Sequence, residues 1–379
     1  MLTIRFLLVA LLTVFGEVQA VPQNRGKKGS NRNGGGNTQQ TPQQQAAAIP
    51  QGISQAADGS MILDMTATVN DLDLRFKISA PADQFTTASG VPGAAAEPGA
   101  QGPNGINVLL HGDGGQSFFD FPNQAVQQGL MGVVVLAPSG METILPRSLQ
   151  MSQTGLIMSS ENLLWGQSQG QPRGLSRVDG VAHSQAVNDL MQQVLPQMVA
   201  FNSSNVFMTG VSGGALTLSG FFVPAHMANF AGTGVLLMCG ALAPQVDFND
   251  SAAVASTTKI HFQSTQQELT SLQGAIPEAV TAYEQLATQA GLDAQQVGAL
   301  QTVDNTPNGG HCEFDEQGFS SGIQLISDNF ATIMQGGNGA VQGINAQTVL
   351  TPVPGNENVQ FAAANGNNKR QQDPYWIGA

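Results

Sequence analysis

The sequence predicts an α/β protein: a mostly parallel central sheet with helices on both faces and an antiparallel hairpin at its N-terminal side. Three observations lead there. Five short runs, 106–110, 132–136, 206–208, 235–238 and 260–262, are apolar almost throughout, as strands covered on both faces must be. Stretches of helical period lie between them, the alternation that goes with parallel strands. Ahead of them, 61–69 and 72–78 alternate apolar and polar residues around Asn70-Asp71, the pattern of a hairpin with a tight turn.

Taken in order, the chain opens with Arg5, an apolar run over 6–15 and the small-x-small triplet Val18-Gln19-Ala20. That is the layout of a secretory signal peptide over 1–20, and the run is too short to span a bilayer. Residues 21–58 are Gly, Asn and Gln with almost no large apolar side chain. They bury too little to offset chain entropy, so a disordered linker is expected. One folded domain is expected over 59–338, and a low-complexity tail over 339–379 carries the dibasic pair Lys369-Arg370. Within the domain, 80–105 is a Pro/Gly/Ala loop. A helix over 178–199 carries Val181, Ala182, Ala186, Leu190, Val194, Leu195 and Met198 on one stripe. A second, over 269–290, carries Leu272, Ile276, Ala279, Val280, Tyr283, Leu286 and Ala287. A weak strand near 298–303 and a last helix over 319–334 complete the reading.

Charge narrows the partners. The formal net charge is −13 and only 10% of residues are charged. Nucleic acid is disfavoured, because phosphate contacts need clustered Lys and Arg. No later stretch reaches 18 apolar residues, so no membrane span is expected. The two cysteines, Cys239 and Cys312, are an even number in a chain with a signal sequence, which points to one disulfide. Two cysteines and an adjacent histidine do not make a metal site, and no cofactor is expected. Asn202 and Asn249 head two glycosylation sequons. A monomer is expected.

The most informative segment is the apolar strand 206–208 followed by Gly210-Val211-Ser212-Gly213-Gly214 and a helix start at Ala215. A G-x-S-x-G between strand and helix is a nucleophile elbow, in which the serine sits on a strained turn. The helix N-terminus behind Ser212 favours developing negative charge.

Three segments agree in order: Leu109-Leu110-His111-Gly112-Asp113-Gly114-Gly115, the serine turn, and Gly309-Gly310-His311. Over 60–340 the chain resembles the α/β-hydrolase superfamily, and within it the secreted esterases of the feruloyl-esterase and polyhydroxybutyrate-depolymerase kind. The resemblance implies a serine esterase acting on a small-molecule or polymeric ester through an acyl-enzyme. Ser212 is then the nucleophile and His311 the base, since this fold runs Ser, acid, His along the chain. His111 opens the oxyanion loop with a structural role. His183 falls in a helix, His226 just after the elbow helix and His261 in a strand, so each competes poorly. The acid is expected after the strand at 260–262, where Glu268 stands. This departs from the Gly-x-x-Asp turn that family members more often show, and Asp247, Asp304 and Asp293 stay open. The oxyanion hole is expected from the Gly213 amide and that of Asp113 or Gly114, with the Asp113 side chain pointing away. A Cys239–Cys312 bridge would tie the histidine loop to the sheet. Phe118, Phe119, Phe121, Met158, Leu163, Leu164 and Trp165 either line a pocket or fill the core. A serine peptidase on this fold and a catalytically inactive binding protein are the alternatives.

Overall fold

The computed structural model describes residues 51–56, 58–115, 118, 129–138, 163–167, 174–230, 233–305, 307–313, 329–331, 333–334, 341–342, 348–349, 351–352 and 361. The expected signal peptide, most of the linker, Phe119, Phe121, Met158, Lys369 and Arg370 lie outside them.

A ten-stranded sheet runs in the order β1-β2-β3-β5-β4-β6-β7-β8-β9-β12. Its strands are β1 (Gly52–Gln55), β2 (Met61–Val69), β3 (Leu72–Ala80), β4 (Gly105–Leu110), β5 (Leu130–Val135), β6 (Val206–Val211), β7 (Gly234–Met238), β8 (Lys259–Gln263), β9 (Gln301–Asp304) and β12 (Thr351–Pro352). β10 (Val341–Gln342) and β11 (Thr348–Val349) form a separate antiparallel pair. The block from β5 to β9 is parallel, and β1, β2, β3 and β12 are antiparallel additions at its two sides.

The hairpin turns where expected. Asn70 and Asp71 both have positive φ, 51° and 61°, the backbone of a two-residue turn whose twist matches its strands. Two edges lie beyond the expected domain. β1 falls in the stretch read as linker, where Ile53 packs on the core. β12 falls in the tail and pairs with β9. Strands of four and two residues carry too little pattern to register in a sequence, and it is the neighbouring strand that orders them.

The helix over the sheet comprises Gly180–Asp189, a π turn at Leu190–Val194 and Leu195–Met198, together α1. The elbow helix repeats this layout: Gly213–Thr217, a π turn at Leu218–Phe222 and Val223–His226, together α2. Each π turn runs into a proline, Pro196 or Pro224. Proline lacks an N–H and its ring crowds the carbonyl four residues back, and a widened turn accommodates both. α3 (Ser251–Thr257), α4 (Thr270–Gln289) and α5 (Ala294–Leu300) follow. His226 is the last residue of α2 rather than a residue after it. Val181, expected on the buried stripe of α1, is 59% exposed.

Both sheet faces are covered. Val206, Met208, Val235 and Leu237 pack with Leu190, Leu216, Ile276 and Tyr283 of α1, α2 and α4. Their alternates Phe207, Val211, Leu236 and Met238 pack on Phe330, Ile333 and Met334, within the expected last helix. Period-two alternation thus sends neighbouring residues into two cores, which is why these strands are apolar without a break. No helix among the described residues is long and apolar enough to cross a membrane.

Candidate active site

The chain order reverses once inside the parallel block. β5 lies on one side of β4 and β6 on the other. Loops leaving β4 and β6 at their carboxyl ends therefore diverge there, and such a switch point is where open α/β sheets place their ligands. The loops after β4, β6, β8 and β9 carry the candidate residues.

Ser212 stands between β6 and α2 with φ 47° and ψ −112°, a sparsely populated backbone that costs roughly 1–3 kcal/mol. Close packing holds it. A Cβ on Gly210 would lie 2.6 Å from the Cα of Ala215, and one on Gly214 would lie 2.2 Å from the Leu110 carbonyl oxygen. Only glycine at both positions lets the turn fold back onto α2 and β4. The Ser212 N–H donates to the Met238 carbonyl at 2.8 Å. Ser212 occupies the N-cap of α2, yet its hydroxyl makes no cap bond. The Oγ lies 2.9 Å from His311 Nε2.

His311 comes from the loop after β9. That loop is bonded to the one after β8: Gln266 N–H donates to Pro307 O at 2.9 Å, Gln267 N–H to Gly309 O at 3.1 Å, and Thr265 Oγ1 to Gly310 O at 2.8 Å. Glu268, at the end of the β8 loop, is 1% exposed. Its Oε1 accepts from His311 Nδ1 and from the Leu269 N–H. With Nδ1–H donated to a carboxylate, Nε2 is left to accept the Ser212 hydroxyl proton. Burial pushes the His311 pKa down, but the charge and hydrogen bond of Glu268, with the charges of Asp113 and Glu313, outweigh it, and the net shift is upward from 6.5.

The other candidate acids are engaged elsewhere. Asp304 accepts from the Gln263 side-chain amide at 2.9 Å. Asp293 caps α5 in a capping box with Gln296. Asp247 is exposed. Among the described residues, His111, His183 and His261 bond groups other than Ser212's hydroxyl. His111 lies within hydrogen-bond distance of Gly112 O through Nδ1, and its Nε2 accepts from the Ala137 N–H at 2.8 Å, fixing the β4 loop to the end of β5. Burial drives His111, His183 and His261 down to about 4, so all three are neutral.

Cys239 and Cys312 are disulfide-bonded, with Cα atoms 5.4 Å apart. The bridge joins the end of β7 to the residue after His311. Cys239, His311 and Cys312 place possible ligand atoms within 4.8 Å of one another, but both sulfurs are committed to the bridge.

The loop after β4 differs from expectation in two ways. Gly114 N–H donates to Leu163 O at 3.0 Å, so it is not offered to a substrate. The Asp113 side chain does not point away from the turn. A Cβ on Gly213 would lie 1.9 Å from Asp113 Oδ1. The cause is Arg177, which the sequence reading missed: it donates to Asp113 Oδ1 at 3.1 Å and Oδ2 at 3.0 Å, and to Trp165 O at 2.9 Å. Arg177 lies in the turn before α1, and nothing in its local pattern links it to a residue 64 positions earlier. The Gly213 and Asp113 amides donate to no partner among the described residues. Phe118, Leu163, Leu164 and Trp165 are all under 5% exposed. They fill the core rather than line an open pocket. Asn202 is half-buried in a turn, and Asn249 is exposed with its side-chain amide donating to Ala225 O.

Strand order, the single reversal at β4 and a serine turn between β6 and α2 define an α/β-hydrolase fold. No family model and no curated protein matches the chain. Solved structures of similar fold include an S-formylglutathione hydrolase from Agrobacterium tumefaciens, at 12% identity and TM-score 0.42, with 74% of this chain and 96% of that one covered. A cold-adapted esterase from an Arctic intertidal metagenomic library is 12% identical at TM-score 0.40, covering 73% and 96%. A poly(3-hydroxybutyrate) depolymerase from Bordetella parapertussis is 13% identical at TM-score 0.37, covering 71% and 89%.

Proposed function

We propose that the protein is a secreted serine hydrolase that cleaves carboxylic esters through an acyl-enzyme. The observation that carries the reading is the hydrogen-bonded chain Ser212–His311–Glu268 at the carboxyl ends of parallel strands, with the serine on a strained turn at a helix start. A serine hydroxyl is a weak nucleophile until a base takes its proton. In this reading Ser212 Oγ attacks the ester carbonyl carbon as His311 Nε2 takes its proton. Glu268 holds the ring in that tautomer and stabilises the imidazolium. The negative charge on the carbonyl oxygen is met by the Gly213 and Asp113 amides. Collapse expels the alcohol, protonated by His311. Water, activated by the same ring, then releases the acid.

A serine peptidase on the same fold is the second reading, and turnover of an ester beside the matching amide separates the two. The inactive-protein reading drew its support from the unusual acid, and the buried Glu268 bonded to His311 weakens it. Export accounts for the N-terminal pattern and the disulfide together.

The test is hydrolysis of p-nitrophenyl acetate and butyrate by the full chain beside Ser212→Ala, with fluorophosphonate labelling of both. Turnover and labelling that vanish in Ser212→Ala support the reading. A wild-type protein that neither hydrolyses these esters nor takes the label sinks it.

A further inference from the structure

The carboxylate of Asp113 stands in an awkward place. Its Oδ1 lies against the Cα of Gly213, close enough that a methyl group there would overlap it. The two amides read as the oxyanion hole belong to these same two residues. A bare carboxylate beside them would oppose the negative charge that the hole has to stabilise. Arg177 changes that balance. Its side chain is 2% exposed and that of Asp113 16%, and both terminal nitrogens bond the carboxylate in a fork. The guanidinium is anchored in turn on Trp165 O, beneath which Trp165 is fully buried. A backbone bond from Gly114 to Leu163 holds the same loop from the next residue.

We propose that Arg177 is a positioning residue of the oxyanion site: it neutralises Asp113 and fixes the Asp113 amide beside that of Gly213, so that negative charge can develop between them. The inference rests on the reading of Ser212 as nucleophile. Arg177 touches no reacting atom. It acts through Asp113, and the effect is electrostatic as well as geometric.

A second consequence falls on His311. The charges that act on the ring are Glu268, Asp113 and Glu313, and all three favour its protonated form. Arg177 is paired with one of them, Asp113. Removing the guanidinium therefore makes the ring harder to deprotonate, and removing the Asp113 charge makes it easier.

The experiment compares wild type, Arg177→Met, Asp113→Asn and the double variant on p-nitrophenyl acetate across pH, with a thermal melt of each. Arg177→Met is expected to lose about 100-fold in kcat, the loss seen when an oxyanion donor is removed. KM should stay within about threefold, because the interaction belongs to the transition state. The pH midpoint of kcat/KM should rise. The double variant, with neither charge, should regain about tenfold over Arg177→Met, and its midpoint should fall back below that of Arg177→Met. A folded double variant as slow as Arg177→Met overturns the inference, as does Arg177→Met with wild-type kcat. Should Arg177→Met not fold, Arg177→Gln decides, since it keeps a donor for the carboxylate without the charge: a lowered kcat with a raised midpoint supports the inference, and wild-type kcat overturns it. If wild type neither turns over nor takes a fluorophosphonate, the underlying catalytic reading falls first. If wild type is active, a negative result falls on Arg177 alone.

Discussion

At Ser212 the backbone sits at φ 47°, and the hydroxyl that would ordinarily cap its helix bonds His311 instead. Both features are what the proposed nucleophilic role asks of a serine, and neither is a property of the residue type. Glu268 shows the same dependence on place. Its Oε1 takes two hydrogen bonds and it is almost wholly buried, so its charge acts on His311 with little water between them. Replacing it with Gln keeps the shape and removes the charge. Glu268→Gln is expected to lower kcat by roughly 10³–10⁴-fold, as loss of the orienting carboxylate does in serine triads. It should also lower the pH midpoint of kcat/KM, since Glu268 is the largest influence raising the His311 pKa against burial. The sign follows from the ring acting as base only when neutral. A pH–rate profile that does not move acidward, in a variant that melts like wild type, would refute this assignment.

The elements matter because each holds one part of the site. β4 and β6 bring the loop of Asp113 and the serine turn together at the reversal of strand order. The loops after β8 and β9 are bonded to each other, which holds Glu268 and His311 side by side. The disulfide joins the His311 loop to the end of β7 across 73 residues. Closing a loop of that length stabilises by about 4 kcal/mol in chain-entropy terms. Cys239→Ala with Cys312→Ala should lower the urea midpoint accordingly. It should also lower kcat more than KM, because His311 is the neighbour of Cys312. A variant that loses stability but keeps wild-type kcat would confine the bridge to a stabilising role.

For the whole molecule, four buried histidines decide how stability follows pH. His111, His183 and His261 are pushed down by burial to about 4, and His226 is shifted the same way. The unfolded chain takes up these protons near pH 6.5, whereas in the folded chain His111, His183 and His261 resist until about 4 and His226 is shifted in the same direction, so their contribution is present above pH 6.5 and lost as pH falls. His311 acts in the opposite sense: its raised pKa adds stability below pH 6.5 that is lost as pH rises through the folded value. Four groups outweigh one, so the urea midpoint should fall between pH 6.5 and 4. A midpoint that stays level over this range would show that these rings are not held neutral.

The residue order by itself determined the fold class, since unbroken apolar strands need cover on both faces. It also determined the serine turn, whose glycines stand where Leu110 and Ala215 leave no room for a side chain. Ser212 and His311 could be proposed from their order along the chain, while the acid stayed open among Glu268, Asp247, Asp304 and Asp293. Tertiary structure decided the rest. It put Glu268 rather than Asp304, Asp293 or Asp247 on His311, because the β8 and β9 loops bond each other and carry those two side chains together. It turned Asp113 onto Gly213 through Arg177 and withdrew the Gly114 amide into a bond with Leu163. It added β1 and β12 to the sheet. Local pattern records only what a segment's own residues prefer. A hydrogen bond between positions 113 and 177, or an edge strand ordered by its neighbour, depends on residues far away in the chain.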